Sequence, residues 1–238
     1  MSKHNIQQTF ETIKAECRAQ VTLNTHEATR FFKVSEGSYG AGDKFLGITV
    51  PTLRKIAKKY KNIDLDVIQE LLKSQYNEER LLALLILIDQ YQKGPLNCQD
   101  KLCKFYLSNL DCINNWNLVD SSAYHILGHY LWDKDKSILT KLAASDVLWE
   151  RRIAIVSTLY FIRKADLDST FKIAILLQND PHDLIHKAVG WMLREAGKKD
   201  DNRLITFLSH YSSQMPKTML RYAVERLSKE QKIAIGLQ

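Results

Sequence analysis

Five positions, each about one helical hairpin from the next, restrict the fold of this chain more than any other feature. Arg80, Trp116, Arg151, Lys187 and Arg221 follow one another at offsets of 36, 35, 36 and 34 residues. Three residues after each stands a small or apolar side chain: Ala83, Val119, Ala154, Gly190 and Val224. A period near 35 holds two helices with their turns, and a small residue once per period lets neighbouring helices approach closely. That is the pattern of an α-solenoid, in which each helical pair buries its apolar face only by stacking on the next. A helical bundle has no cause to repeat. The first 60 residues do not keep the period. The expectation is therefore a single solenoid domain over 1–238, with atypical cap helices over 1–60 and repeats over 61–238.

The helices can be placed from apolar spacing. Leu81, Leu82, Leu85, Ile86 and Ile88 follow Asn77, a candidate N-cap. Further helices are expected over about 3–20, 24–34, 51–60, 64–74, 97–110 and 114–132, then 135–144, 147–164, 168–178, 181–197, 201–211 and 215–226. Asp64, Asp168 and Asn179 or Asp180 are candidate caps, and Pro181 suits a first helical turn. Only nine glycines and four prolines are present, too few for a turn-rich all-β fold. A hydrophobic share of 45% is enough for a packed core. The fold class expected is all-α, a right-handed-type solenoid of HEAT-like repeats with a concave, basic face.

A net charge of +7 favours polyanionic partners. No stretch approaches the roughly 18 apolar residues of a membrane span, so no membrane partner is expected. The opening MSKHNIQQTFETIK lacks the apolar core of a signal peptide. Cys17, Cys98, Cys103 and Cys112 show no CxxC spacing and no disulfide framework, which points to a reducing cytoplasm. Glycines 37, 40 and 42 suggest a phosphate loop, but Asp43 stands where such a loop needs lysine, and Phe45 spoils a dinucleotide fingerprint. His125 with His129, and His182 with His186, lie four apart, without a third ligand or the glutamate of a zinc-protease helix. They read as helix-face histidines, and no metal site is expected.

Trp116 and Asp120 lie one turn apart on one helix face. Trp191 and Arg152 fall in matching or adjacent rows of neighbouring repeats. Each has a plainer reading by itself. Indoles, Trp149 included, bury large areas. An edge carboxylate is solvated or paired with Arg151 or Arg152. The row alignment is what suggests a shared cleft. Lys187, Arg194, Lys198, Lys199, Arg203, Lys217 and Arg221 crowd the C-terminal repeats, with Arg151 and Arg152 upstream, a spread suited to a phosphate backbone.

With NNWNLVDSS (114–122), ASDVLWERRIAIV (144–156), HKAVGWMLREAGK (186–198) and MPKTMLRYAVERL (215–227) in view, the chain resembles the AlkD-type DNA alkylation repair glycosylases, a HEAT-like repeat family. The resemblance implies hydrolysis of the N-glycosidic bond of cationic N3- or N7-alkylated purines in double-stranded DNA. The lesion stays in the stack, no metal or organic cofactor takes part, and a monomer is the default. It implies Asp120 as the catalytic carboxylate, Trp116 and Trp191 as aromatic walls, and Arg152 as a DNA-backbone contact. Arg151, Lys187, Arg194, Lys198 and Lys199 would join that contact. Phe31 or Phe32 stands for the family's DNA-facing tyrosine, with Tyr39 as its substitute, and Asn115 replaces a second tryptophan. The alternatives are a non-catalytic DNA-binding member and a protein-interaction scaffold.

Overall fold

A computed structural model describes residues 3–21 and 25–237 of the 238-residue chain. The fold is all-α. Among the described residues the nearest thing to a strand is one isolated bridge between Lys44 and Tyr76. Two compact units are present, residues 1–122 and 123–238.

The first unit carries α1 (Lys3–Arg18), α2 (Thr25–Phe31), α3 (Val50–Lys59), α4 (Leu65–Leu72), α5 (Asn77–Lys93), α6 (Gln99–Leu107) and α7 (Trp116–Ser122). The expected first residue of α2, position 24, lies outside the described residues. Thr49 caps α3 by accepting from the Thr52 amide, and Pro51 sits in the first turn, where a missing N–H costs nothing. Every residue of α5 from Asn77 to Ile88 is buried, so this helix is the unit's centre, with α3, α4 and α7 packed around it. A helix enclosed on all sides shows no amphipathic stripe. Residue 60 falls inside this unit, at the C-terminal end of α3.

Helix α5 also holds the glycine-rich segment before α3. Gly37, Gly42 and Gly47 have φ of 76°, 88° and 82°, a left-handed backbone that side-chain-bearing residues adopt at a cost. The buried Glu78 carboxylate accepts from the Leu46 amide at 3.0 Å and the Gly47 amide at 2.8 Å. Within the glycine run itself, the Gly40, Ala41 and Asp43 amides bond the carbonyls of Lys33, Ser38 and Gly40. The segment is an anchored turn.

The second unit opens on a π turn over Tyr124–Gly128 and continues through α8 (Ser137–Ala143), α9 (Leu148–Ser157), α10 (Leu159–Arg163) and α11 (Asp168–Leu176). It ends with α12 (Asp183–Gly197), α13 (Asp201–Tyr211), α14 (Lys217–Ala223) and α15 (Lys229–Ala234). Two expected helices are interrupted. The one over 114–132 gives way to the π turn, where the Gly128 amide reaches back five residues to the Ala123 carbonyl at 2.9 Å. Gly128 lies so close to α9 that a Cβ there would stand 2.2 Å from the Ser157 carbonyl oxygen. The helix over 147–164 breaks at Thr158, whose hydroxyl bonds the Ile155 carbonyl at 2.7 Å and whose amide tightens onto the same oxygen. Gly190, the small residue of its repeat, allows α12 to touch α14: a Cβ would meet the Met219 carbonyl oxygen at 2.5 Å.

Candidate functional site

Helix α7 is fixed on one side by burial. Leu118, Val119 and Ser122 are buried, and the Ser122 hydroxyl lies 3.0 Å from the hydroxyl of the buried Tyr106. Trp116 and Asp120 occupy the other side, both half-buried. The Trp116 indole is held by rings. It stacks on Phe32 at 5.0 Å and 16°, and Phe32 stacks in turn on the buried Phe45 at 4.6 Å and 20°. Phe31 stands edge-on to the same indole at 5.5 Å and is 64% exposed. The Tyr39 hydroxyl lies 3.4 Å from the Phe31 carbonyl oxygen, so the two candidate DNA-facing residues of this region are neighbours. A ring whose orientation is set by two others loses little freedom when it meets a ligand.

Behind α7 lies a buried polar cluster that no sequence motif marks. The Asp43 carboxylate receives Arg80 Nη2 on one oxygen. Its other oxygen receives Asn77 Nδ2 at 3.0 Å and Asn115 Nδ2 at 2.7 Å. Asn115 accepts the Trp116 amide on its own Oδ1 at 2.8 Å, and Asn77 and Asn117 exchange side-chain hydrogen bonds. The Arg80 side chain is 5% exposed and that of Asp43 9%. One signal pointed this way. Arg80 sits on an apolar helix with no acid three or four residues away, so a buried guanidinium there needs a distant carboxylate.

Arg151, one repeat-row equivalent of Arg80, makes the same kind of contact in the second unit. Its Nε donates to Asp180 at 2.6 Å, and its Nη1 donates to the Ser145 carbonyl six residues back at 3.0 Å. Arg80 Nη1 donates to the Ser74 carbonyl, also six residues back, at 2.8 Å. Each serine folds its own turn too, accepting the amide two residues on. The repeat is thus visible as chemistry, an arginine clamping the turn that precedes its helix. Arg152 is 5% exposed and donates through Nη1 to the Leu184 carbonyl in the first turn of α12. Both arginines expected at the DNA backbone are therefore turned to protein acceptors.

Trp191 is half-buried on α12, beside Gly190. Lys187 pairs with Asp183 at 2.7 Å, Lys198 with Glu195 at 2.7 Å, and Arg194 with Glu225. Lys198 and Lys199 are exposed and border a cleft of about 310 Å3 with Arg194 and Arg226. Trp116 and Asp120 belong to the first unit, and Arg151, Arg152, Trp191 and these basic residues to the second.

The histidine pair His182 and His186 is engaged at the start of α12. His182 Nδ1 accepts the Leu184 amide at 3.1 Å, and His186 Nε2 bonds the Asp180 carbonyl. Burial holds the His182 imidazole below its usual value of 6.5, against the opposing charge of Asp180. Burial does the same for His129. In each case the unfolded chain takes up a proton more readily than the folded one. Their stabilisation is complete above 6.5 and is lost as pH falls through the lower folded-state values. His182→Asn keeps a capping acceptor without a titrating ring. Thermal melts from neutral to mildly acidic pH should show a shallower loss of Tm for this variant, with the His129 part remaining. An unchanged slope would remove His182 from the acid response.

The residues matched by the DNA alkylation repair enzyme family model are 13–227. A solved structure described as a predicted DNA alkylation repair enzyme from Enterococcus faecalis superposes with a TM-score of 0.66 at 16% identity. That alignment covers 88% of this chain and 99% of the other. A comparison with curated proteins returns no match. With the family model spanning nearly the whole chain, from α1 through α14 and beyond, the protein belongs to the DNA alkylation repair enzyme family.

Proposed function

We propose that the chain is a DNA glycosylase that hydrolyses the N-glycosidic bond of cationic N3- or N7-alkylated purines in duplex DNA. The observation that carries this reading is the pairing on α7 of a ring-braced indole with a half-buried carboxylate one turn later, in a chain of this family. An alkylated purine carries positive charge that is neutralised as it departs, so the leaving group needs little protonation. The remaining demand is the electron-poor sugar. Asp120 would oppose that charge and hold the attacking water. The Trp116 face attracts a cation by up to ~2 kcal/mol when desolvated, and Trp191 is proposed to act in the same way. Lys198 and Lys199, both exposed, are the candidates best placed to meet phosphates. Arg151 and Arg152 are proposed to act from inside, Arg151 by clamping the turn before α9 and Arg152 by bonding the first turn of α12.

The test is base release. Purified protein incubated with duplex containing 7-methylguanine or 3-methyladenine is expected to liberate the free base, detected by chromatography. Silence on every alkylated duplex would end the enzymatic reading. Salt-dependent binding without release would mark a DNA-binding member instead.

A further inference from the structure

We infer that Asp43 and Asn115 are positioning residues for the proposed reaction, acting through Trp116 and Asp120. The inference rests on the glycosylase reading for its catalytic consequence but stands on its own geometry. Asn115 is fully buried and is the residue immediately before α7. Its carboxamide is used at both ends. The nitrogen donates to Asp43 at 2.7 Å, and the oxygen accepts the backbone amide of Trp116 at 2.8 Å. The Asn115 backbone carbonyl accepts the amides of Leu118 and Val119, so the same residue also starts the helix. One side chain therefore fixes where the α7 backbone begins, and with it the direction in which Trp116 and Asp120 project.

Asp43 is what fixes Asn115. Its carboxylate is held by the buried Arg80 and Asn77 of α5, the central helix of the unit. Asn77 in turn exchanges hydrogen bonds with Asn117, the second residue of α7. The start of α7 is thus bound to the core through two polar routes meeting at Asp43. A low-dielectric cluster in which most members have several partners is stiff, because moving one group strands another. The glycine-rich turns around Gly37, Gly42 and Gly47 gain a purpose from this. They carry Asp43 across to α5, and the Lys44 amide and carbonyl secure it by bonding Gln75 in the turn before α5 and Asn77, the first residue of that helix. The aromatic stack under Trp116 uses the same segment, since Phe45 lies two residues after Asp43.

Asn115→Leu is the main test, because it removes both side-chain bonds while Asp43 keeps Arg80 and Asn77. Single-turnover base release from a 7-methylguanine duplex is expected to fall about 100-fold, the scale of a misplaced reacting group. DNA affinity, measured by anisotropy at fixed salt, should stay as in the wild type. Hydrogen exchange in peptides covering 114–122 should quicken, while exchange across α9 and α12 does not. Asp43→Asn, which keeps the shape but loses the charge beside Arg80 and one of the two accepting oxygens, should change the rate and the 114–122 exchange in the same direction and lower stability as well. Wild-type rates and unchanged exchange over 114–122 in Asn115→Leu would overturn the inference. Should the wild type release no base, the glycosylase reading falls, and the exchange result alone still decides whether these residues position α7.

Discussion

Asp120→Asn is expected to abolish base release from alkylated duplex while leaving the protein folded and DNA binding intact. The substitution keeps the side chain's size and one accepting oxygen, and replaces the charged carboxylate with a neutral carboxamide. In the proposed reaction that charge does the larger share of the chemistry. When the glycosidic bond stretches, the purine leaves as a neutral molecule and the sugar is left cationic. A fixed carboxylate then stabilises the transition state far more than the ground state, where the positive charge still resides on the base. Losing one such group lowers rates by about 100- to 1,000-fold. Asp120 is half-buried, so its charge is screened less than that of a free surface residue. Single-turnover kinetics on 7-methylguanine and 3-methyladenine duplexes would measure the loss. Equal rates for both proteins would remove Asp120 from the mechanism, whatever else the chain does. Trp116→Ala should cost less, since an indole contributes by cation–π attraction and orientation rather than by a full charge.

Much of the fold was legible because helical repeats write their periodicity into every turn. One small residue of the period has the expected role: Gly190 is where α12 meets α14, with no room for a Cβ. Helix ends were less legible. Asn77, read as an N-cap, is the first residue of α5 and uses its side chain to reach Asp43 and Asn117 instead. Asp180 does organise the start of α12, yet the capping acceptor is His182. The breaks at Gly128 and Thr158 follow from contacts and hydroxyl bonds that spacing does not encode. Of the site, the pairing of Trp116 with Asp120 could be read from i to i+4 alone. The ring stack could not, because Phe32 and Phe45 lie far upstream. The basic row was visible as a pattern and opaque as a role. Arg80 finds its partner 37 residues before it and Arg151 finds its own 29 residues after, so no local spacing distinguishes an inward clamp from an outward phosphate contact.

That distinction gives the largest expected effect on stability. Arg151→Ala should destabilise the protein by about 3–5 kcal/mol, the scale for stripping one partner from a buried ion pair. Asp180 is 2% exposed at its side chain, and without Arg151 its carboxylate keeps only weaker donors such as the His182 amide at 2.8 Å. The Ser145 and Asp146 carbonyls lose their donor at the same time. Neutralising the survivor should restore much of the loss. Arg151→Met combined with Asp180→Asn leaves no unpaired charge and keeps an oxygen for the His182 amide. Urea denaturation of Arg151→Met, Asp180→Asn and the double variant that combines them closes the cycle and measures the coupling. The DNA readout separates the two possible roles of the arginine. A phosphate contact contributes about one unit to the slope of log affinity against log salt, and its removal lowers that slope. The double variant should keep the wild-type slope, whereas Lys199→Ala, at an exposed position, should lower it without affecting stability. A wild-type stability for Arg151→Ala together with a reduced slope would turn this residue back outward, toward the nucleic acid.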